Sequence, residues 1–473
     1  MSRAPKISDG VLDQLRKAVG PKGWTSDPKD LEPHLKEWRG LYHGETPILI
    51  SPRNIDEVSE VVWICAETGT PIVPQGGNTG MCGGAVPSAG GAEIILSLAR
   101  MNKIRAIDPL NYTISVDAGC VLANVQKAAE DAGRLFPLSL GAEGSCQIGG
   151  NLSTNAGGVN VLKYGTAREL ALGLEVVLPD GRIWDGMQGL RKDTAGYDLK
   201  QMFIGAEGTL GIITGAVLKL FPLPKSRLTL FAAVRDPEAA VALLADLRER
   251  TGDRVSAFEL IPRDALEMVL RHIPNTTDPL AEAHTWYALV EISSPDPEIP
   301  QDAGTLLEPA FESGLVLDAA TASSETQRAA LWRLRESISE AERAEGASIK
   351  HDISVPVSDM PGFIAKARAA VEKKLPGVRV IAFGHIGDGN VHFNLCKPDG
   401  ADNKAFLARW AEFNRVVHDV VTDFRGSISA EHGIGQLKRD ELKHYKTAVD
   451  IDLMRALKAA LDPKGIMNPG KVI

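Results

Sequence analysis

Pro74 to Gly91 reads PQGGNTGMCGGAVPSAGG, with seven glycines in eighteen residues. Glycine at that density lets backbone N–H groups approach a ligand closely, and clustered N–H groups suit phosphate. Short apolar runs bracket the loop, Pro71-Ile-Val-Pro before it and EIILSL (93–98) after it. Upstream, Pro47-Ile-Leu-Ile predicts a strand, and Asn54 caps a predicted helix over 55–67 that Gly69 closes. Residues 46–98 are thus predicted as β-α-β, with the glycine loop between the last two strands. A second cluster, GAEGSCQIGGNLSTNAGG (141–158), has six glycines in eighteen residues and adds the short polar side chains Ser145, Ser153, Thr154 and Asn155. Predicted strands at 113–118 and 174–179 and a helix at 122–132 surround it. GAEGTLGIIT (205–214) then leads into an apolar strand that ends at Leu220.

From Leu228 onward strands alternate with helices, which predicts a second domain with an antiparallel sheet covered by helices on one side. A charged helix is predicted over 326–344, a strand over 349–355 and a helix over 360–374. A strand over 378–383 runs into FGHIGDGNVHFNL (383–395). Asp388-Gly389 is a favoured pair for a two-residue turn, so this stretch predicts a hairpin. In that register His385 opposes His392, and Asn394 shares their face. Two neutral imidazoles at cross-strand spacing suit a divalent metal such as zinc. SAEHGIG (429–435) offers an acid and a further histidine, in a chain with only 10 His. Helices are also predicted over 6–19, 405–425 and 439–461.

The chain has 473 residues, 44% hydrophobic and 24% charged, an ordinary globular composition with room for two or three domains. A formal net charge of −9 argues against non-specific nucleic-acid binding. No run reaches the roughly 20 apolar residues of a membrane helix, and MSRAPKISDGVLDQL lacks a signal-peptide core. Five cysteines, with no CxxC spacing, read as reduced thiols of a soluble cytoplasmic protein. No GxGxxG follows a strand, which argues against a nicotinamide site of the Rossmann type.

These motifs, in this order and with DPKGIMNPGK (462–471) at the end, resemble the flavin-linked D-2-hydroxyacid dehydrogenases of the vanillyl-alcohol-oxidase-type (PCMH-type) FAD fold. RKDTAGYDLKQMFIGAEGTLGIIT (191–214) is the longest matching run. The resemblance implies an α+β protein: an N-terminal helical segment (1–45), a two-part FAD-binding domain (46–224), a substrate or cap domain (225–430) and a C-terminal segment (431–473) that completes the flavin site. It places the FAD pyrophosphate on Pro74, Gly76, Gly77, Asn78, Thr79 and Gly80. Further FAD contacts are carried to Ser145, Gly149, Asn151, Thr154, Gly157, Gly158, Glu207, Gly208, Ile213 and Asn468. Asn78 stands where some relatives tether FAD through histidine, so the flavin is expected to be non-covalent.

For the substrate, the resemblance implies Arg335, Lys350 and Asn394, with Ser339 in place of the family's threonine. It implies His385, His392 and Glu431 as ligands of a divalent metal, zinc foremost, with manganese or iron as alternatives. His432 is the implied base and also touches substrate; histidine's ordinary pKa of about 6.5 suits that task. Arginine plus lysine favours a dicarboxylate such as D-2-hydroxyglutarate or D-malate over D-lactate. The D-lactate dehydrogenases and the non-redox flavin transferases of the same fold are the alternative readings. Hydride transfer and C2 proton removal both stay open. The implied electron acceptor is an electron-transfer flavoprotein, a quinone or a cytochrome, and a homodimer is compatible with the family.

Overall fold

A computed structural model describes residues 7–296 and 303–473. The chain divides into two units, one made of Met1–Gly157, Gly165–Leu223 and Glu431–Ile473, the other of Gly158–Tyr164 and Pro224–Ala430. Residues 158–164, placed by sequence in the FAD-binding domain, fold instead with the second unit. Leu162 packs against its core and Lys163 Nζ donates to the Ser293 carbonyl at 2.6 Å. Residues 1–45 are part of the first unit. Their helix spans Asp9–Val19, capped by Ser8; Lys6, the predicted start, lies outside the described residues.

Two larger sheets of different character build the first unit, beside a two-stranded pair of Arg134–Leu135 and Phe221–Pro222. In one, Leu49–Ile50 and Ile72–Gln75 run parallel to Ile94–Ser97. Parallel neighbours need a crossover, and the helix Ile55–Thr68 provides it. Asn54 Oδ1 accepts from Glu57 N at 2.9 Å at its start, and Gly69 ends it at φ 65°. The chain's tail joins this sheet: Ile72 N donates to Ile466 O and Asn468 N to Ile72 O, both at 2.8 Å. The other sheet has the order Ile104–Asp108, Thr113–Asp117, Ile212–Lys219, Ala171–Val177, Ile183–Gly186 and is antiparallel throughout. Its two edge strands escaped the sequence reading because they are half exposed and carry little apolar pattern.

The second unit is built on an antiparallel sheet ordered Val255–Pro262, Trp286–Ser294, Ser226–Val234, Val316–Thr321. Three of its strands are buried almost end to end because helices cover both faces, not one; the edge strand Val316–Thr321 is largely part-exposed. Leu230 and Ala232 pack with helices Pro237–Thr251 and Ala303–Glu312. Phe231 and Ala233 pack with Arg263–His272, Glu325–Glu336 and Ile338–Glu345. The last two come from the single helix expected over 326–344. It breaks at Ser337 (φ −81°, ψ −3°), a residue type that competes with helical hydrogen bonding. A smaller sheet centres on Asn390–Cys396, flanked by Arg379–Phe383 on one side and by Ser348–Ile349 and Asp352–Ser354 on the other. The strand expected over 349–355 is therefore two short ones. The helix expected over 405–425 is likewise two, Asn403–Leu407 and Trp410–Asp423.

Candidate functional site

In the first unit the two glycine clusters line a cleft. Pro74, Gly76, Gly77, Asn78, Thr79 and Gly80 form one wall, Gly149, Asn151 and Thr154 a second, and Glu207, Gly208 and Ile213 a third; His432 also borders it. At two of these glycines nothing larger fits. A Cβ at Gly77 would stand 2.1 Å from the Ser145 carbonyl oxygen, and one at Gly208, where φ is +70°, 2.9 Å from Pro74 Cγ. Asn78 takes a left-handed φ of 53°, and its Nδ2 donates to Lys36 O at 2.8 Å, anchoring the first loop. Ser145 is exposed and, like Gly157, does not line the cleft; Gly158 belongs to the second unit. Asn468 does not line it either, but its Nδ2 joins two cleft strands of chain by donating to Gly84 O at 2.9 Å and Glu207 O at 2.7 Å.

Three buried side-chain oxygens here have no protein partner: Gln147 Oε1, Asn151 Oδ1 and Asn468 Oδ1. Buried acceptors are nearly always satisfied. Two of these lie on cleft-lining residues, which fits a large ligand rich in donors. Glycine walls close to backbone amides, an apolar side at Leu98 and Ile213, and unspent acceptors together match a flavin dinucleotide. Gln147 was not picked out from the sequence, although its place inside the second glycine cluster was a signal for it.

Glu207 has a role the sequence did not disclose. Its carboxylate accepts from Ile434 N at 2.7 Å and from Gly435 N at 2.8 Å. Burial raises its pKa above the ordinary carboxyl value in spite of these bonds. The EHGIG turn is thereby tied down, with His432, half-buried, at the cleft.

In the second unit the strand Asn390–Cys396 presents Asn390, His392 and Asn394 on one face. The predicted hairpin register is corrected. Phe383, not His385, opposes His392, and Ile381 opposes Asn394. The turn is not Asp388-Gly389 alone. At Gly384 (φ +141°) the chain leaves its partner strand and bonds Leu260 in both directions, at 2.9 and 3.1 Å, so the connection runs over 384–389. Asn394 stays on the face of His392 in either register, because the two are two residues apart on one strand. The two imidazoles still meet, with ring centroids 5.6 Å apart at 74°.

Buried carboxylates organise the rest of this face. Glu259, fully buried in the strand Val255–Pro262, accepts from His385 Nδ1 and Arg335 Nε, both at 2.5 Å. Burial pushes its pKa up, but the Arg335 charge and His385 outweigh it and hold the group at about 2. Glu342, also fully buried, accepts from Lys350 Nζ at 2.9 Å and from Asn394 Nδ2 with both oxygens at 2.9 Å. Asp352 sits directly across from His392, with a carboxylate oxygen within 4.8 Å of a ring nitrogen, and takes Asn390 Nδ2 at 3.0 Å. Of the predicted substrate residues, Arg335, Lys350 and Asn394 are held in this way. Ser339 is exposed, because the break at Ser337 starts a new helix between it and Arg335. Glu259, Glu342 and Asp352 were missed. Glu259 alone left a trace, as a carboxylate in the middle of the apolar run AFELIP (257–262). Glu431, assigned with His385 and His392 as a ligand, belongs to the first unit.

None of the described helices is long and apolar enough to cross a membrane. All five cysteines are buried and none forms a disulfide.

Two families of known proteins match the chain. Residues 46–186 match the FAD binding domain family, and residues 223–472 match the family of FAD linked oxidases, C-terminal domain. A D-2-hydroxyglutarate dehydrogenase of Xanthomonas citri is 38% identical over 98% of this chain and 97% of that relative. The mitochondrial D-2-hydroxyglutarate dehydrogenase of Arabidopsis thaliana is 36% identical over 98% of this chain and 81% of its own length. Among solved structures, p-cresol methylhydroxylase with substrate bound superposes with a TM-score of 0.75 at 18% identity, covering 98% of this chain and 97% of that one. That likeness establishes the PCMH-type fold.

Proposed function

We infer the reaction from membership: the chain belongs to the FAD-linked oxidases, and it matches D-2-hydroxyglutarate dehydrogenases along nearly its whole length. It is an FAD-dependent dehydrogenase acting on CH–OH donors, and FAD is its cofactor. We propose D-2-hydroxyglutarate as the substrate and 2-oxoglutarate as the product. The observation that carries the choice of a dicarboxylate is the pair of fully buried carboxylates, Glu259 and Glu342, which fix Arg335 and Lys350 in place. Two pre-oriented cations suit two carboxylates better than one.

The same face argues for a metal. Among the described residues, the three carboxylates on it, Glu259, Glu342 and Asp352, outnumber the two cations that they hold, Arg335 and Lys350, by one. A dianionic substrate would be repelled there without a further positive charge. The proposed ligands of a divalent cation, zinc by preference and manganese or iron otherwise, are His385, His392 and Glu431, and Asp352 lies beside His392.

Bound FAD supplies a hydride acceptor and a divalent cation supplies a Lewis acid for the 2-hydroxyl. The chain's own residues do the remaining work. Backbone amides of the Gly76–Gly80 loop hold the pyrophosphate, Arg335 and Lys350 hold the substrate carboxylates, and Asn394 donates to the substrate. His432 takes the hydroxyl proton as general base. Electrons then pass to an electron-transfer flavoprotein, a quinone or a cytochrome. Five buried, unbridged cysteines fit a cytoplasmic placement.

Reduction of an acceptor dye across a panel of D-2-hydroxyacids, with metal analysis of the same sample, tests this reading. A clear preference for D-2-hydroxyglutarate and loss of turnover on chelation, with flavin retained, support it. Equal rates with D-lactate overturn the dicarboxylate assignment, and full activity after thorough metal removal overturns the metal. Absence of dye reduction on every 2-hydroxyacid would point to a non-redox flavin transferase.

A further inference from the structure

We propose that Glu259 is a positioning residue for this reaction: a single buried carboxylate that fixes His385 and Arg335 in one geometry, Oε1 accepting from His385 Nδ1 and Oε2 from Arg335 Nε. The inference rests on the substrate and metal reading above.

The placement is unusual for an acid. Glu259 lies in the middle of the strand Val255–Pro262, every residue of which is buried. A bare carboxylate there would give up its charge to avoid the cost of burial. Two donors converge on it, one on each oxygen, from the helix Glu325–Glu336 and from the loop that follows Phe383, so neither oxygen is left without a partner.

Two consequences follow for the site. The Glu259 carboxylate holds the His385 ring from its Nδ1 side, so the ring's orientation, and with it the direction of Nε2, is set by Glu259. On the other side, the bond to Nε leaves the two Nη groups of Arg335 for a substrate carboxylate. The guanidinium plane is fixed as well, lying 4.9 Å over the Phe383 ring, and that ring is 5.1 Å from the ring of His392. Glu259 thus joins a metal ligand to the substrate-binding arginine, so that neither turns independently of the other.

A second acid on the same sheet provides the contrast. Glu291 accepts from Trp332 Nε1 at 3.0 Å and pairs with Arg328. It anchors the same helix, but neither of its partners is His385 or Arg335.

The test uses the FAD-loaded full chain and the variants Glu259→Gln and Glu291→Gln. Zinc affinity is read by competition with a chelating dye, KM and kcat with D-2-hydroxyglutarate, and folding by flavin absorbance and melting temperature. In E259Q, the amide presents a donor to one of the two donors it must satisfy. Zinc is expected to bind roughly 10–100-fold more weakly and KM to rise about tenfold or more, with flavin retained. E291Q lowers the melting temperature but leaves zinc affinity and KM within about twofold. A folded E259Q whose zinc affinity and KM both stay within about twofold of wild type overturns the proposal. If E259Q does not fold, Glu259→Asp decides in the same way. It keeps the charge but is too short to span both donors, so wild-type zinc affinity and KM in that variant overturn the proposal. A wild type that holds no metal and oxidises no D-2-hydroxyacid overturns the reaction assignment and this inference together. An unchanged E259Q in an active, metal-loaded background overturns this inference alone.

Discussion

Lys350 Nζ donates to Glu342 at 2.9 Å, and Glu342 is fully buried while the lysine side chain is a quarter exposed. Removing one partner of such a pair leaves a charge without compensation. Lys350→Met is expected to destabilise the fold by about 2–3 kcal/mol, near the low end for a buried pair because the lysine end is partly wet. It should also raise KM for the dicarboxylate more than it lowers kcat. Chemical denaturation together with steady-state kinetics checks both, and an unchanged denaturation midpoint would contradict the structural half.

Gly77 and Gly144 separate a glycine the fold requires from one it does not. A Cβ at Gly77 meets the Ser145 carbonyl oxygen at 2.1 Å, while one at Gly144 meets nothing within 4 Å. Gly77→Ala is expected to weaken FAD binding more than tenfold, and Gly144→Ala to leave it within twofold. Titration of the apoprotein by flavin fluorescence distinguishes them. Equal affinities would show that the first loop opens at little cost.

Glu207→Ala leaves the amides of Ile434 and Gly435 without their acceptor. At about 1–3 kcal/mol for each unsatisfied amide, the expected loss is roughly 2–6 kcal/mol in this turn, towards the low end because both bonds are only part-buried. Hydrogen exchange at those two amides should accelerate strongly, and turnover should fall with His432 no longer fixed at the cleft. Protection equal to wild type would show that something else holds the turn.

Ser339 is exposed, while Arg335 is 8% exposed and ion-paired. Ser339→Ala is expected to change kcat/KM by less than twofold, and Arg335→Met to reduce it by a factor of 100 or more. A large loss in S339A would place the serine in the substrate site after all.

Glu345 links His272, Arg271 and Arg379, with its carboxyl held below the ordinary range, first by the hydrogen bond from His272 and then by Arg379. A depressed folded pKa gives stability that is present above the unfolded value of about 4.3 and is lost as pH falls through the folded value. The stability difference between wild type and Glu345→Gln should therefore be largest at neutral pH and shrink on acidification below about pH 4.3. Guanidinium denaturation between pH 3 and 7 measures it. A difference independent of pH would show that packing, not charge, is what the glutamate contributes.

Local pattern carried a good deal of this protein. The β-α-β start was legible because Asn54, Gly69 and two apolar runs are short-range signals, and each acts within a few residues of itself. The glycine loops were legible because no other residue tolerates such close approach of backbone to backbone, as Gly77 and Gly208 demonstrate. Pattern misled where a local preference lost to a distant partner. Asp388-Gly389 favours a tight turn, yet Gly384 takes its hydrogen bonds from Leu260, more than a hundred residues away, and the connection lengthens to six residues. The helix over 326–344 has the right composition throughout and still breaks at Ser337.

The sequence by itself therefore determined part of the chemistry on offer: two glycine clusters suited to phosphate and two histidines close to one turn, which are matters of residue type and spacing that the chain carries locally. The arginine and the lysine for carboxylates came from the resemblance to a family. Only the tertiary structure decided how these groups are held. Glu259, Glu342 and Asp352 reach His385, Arg335, Lys350, Asn394 and Asn390 from other strands and helices, and Glu207 reaches Ile434 across 227 positions of chain. A buried carboxylate is placed by the packing around it and by the donors that converge on it, and neither is written in the residues beside it.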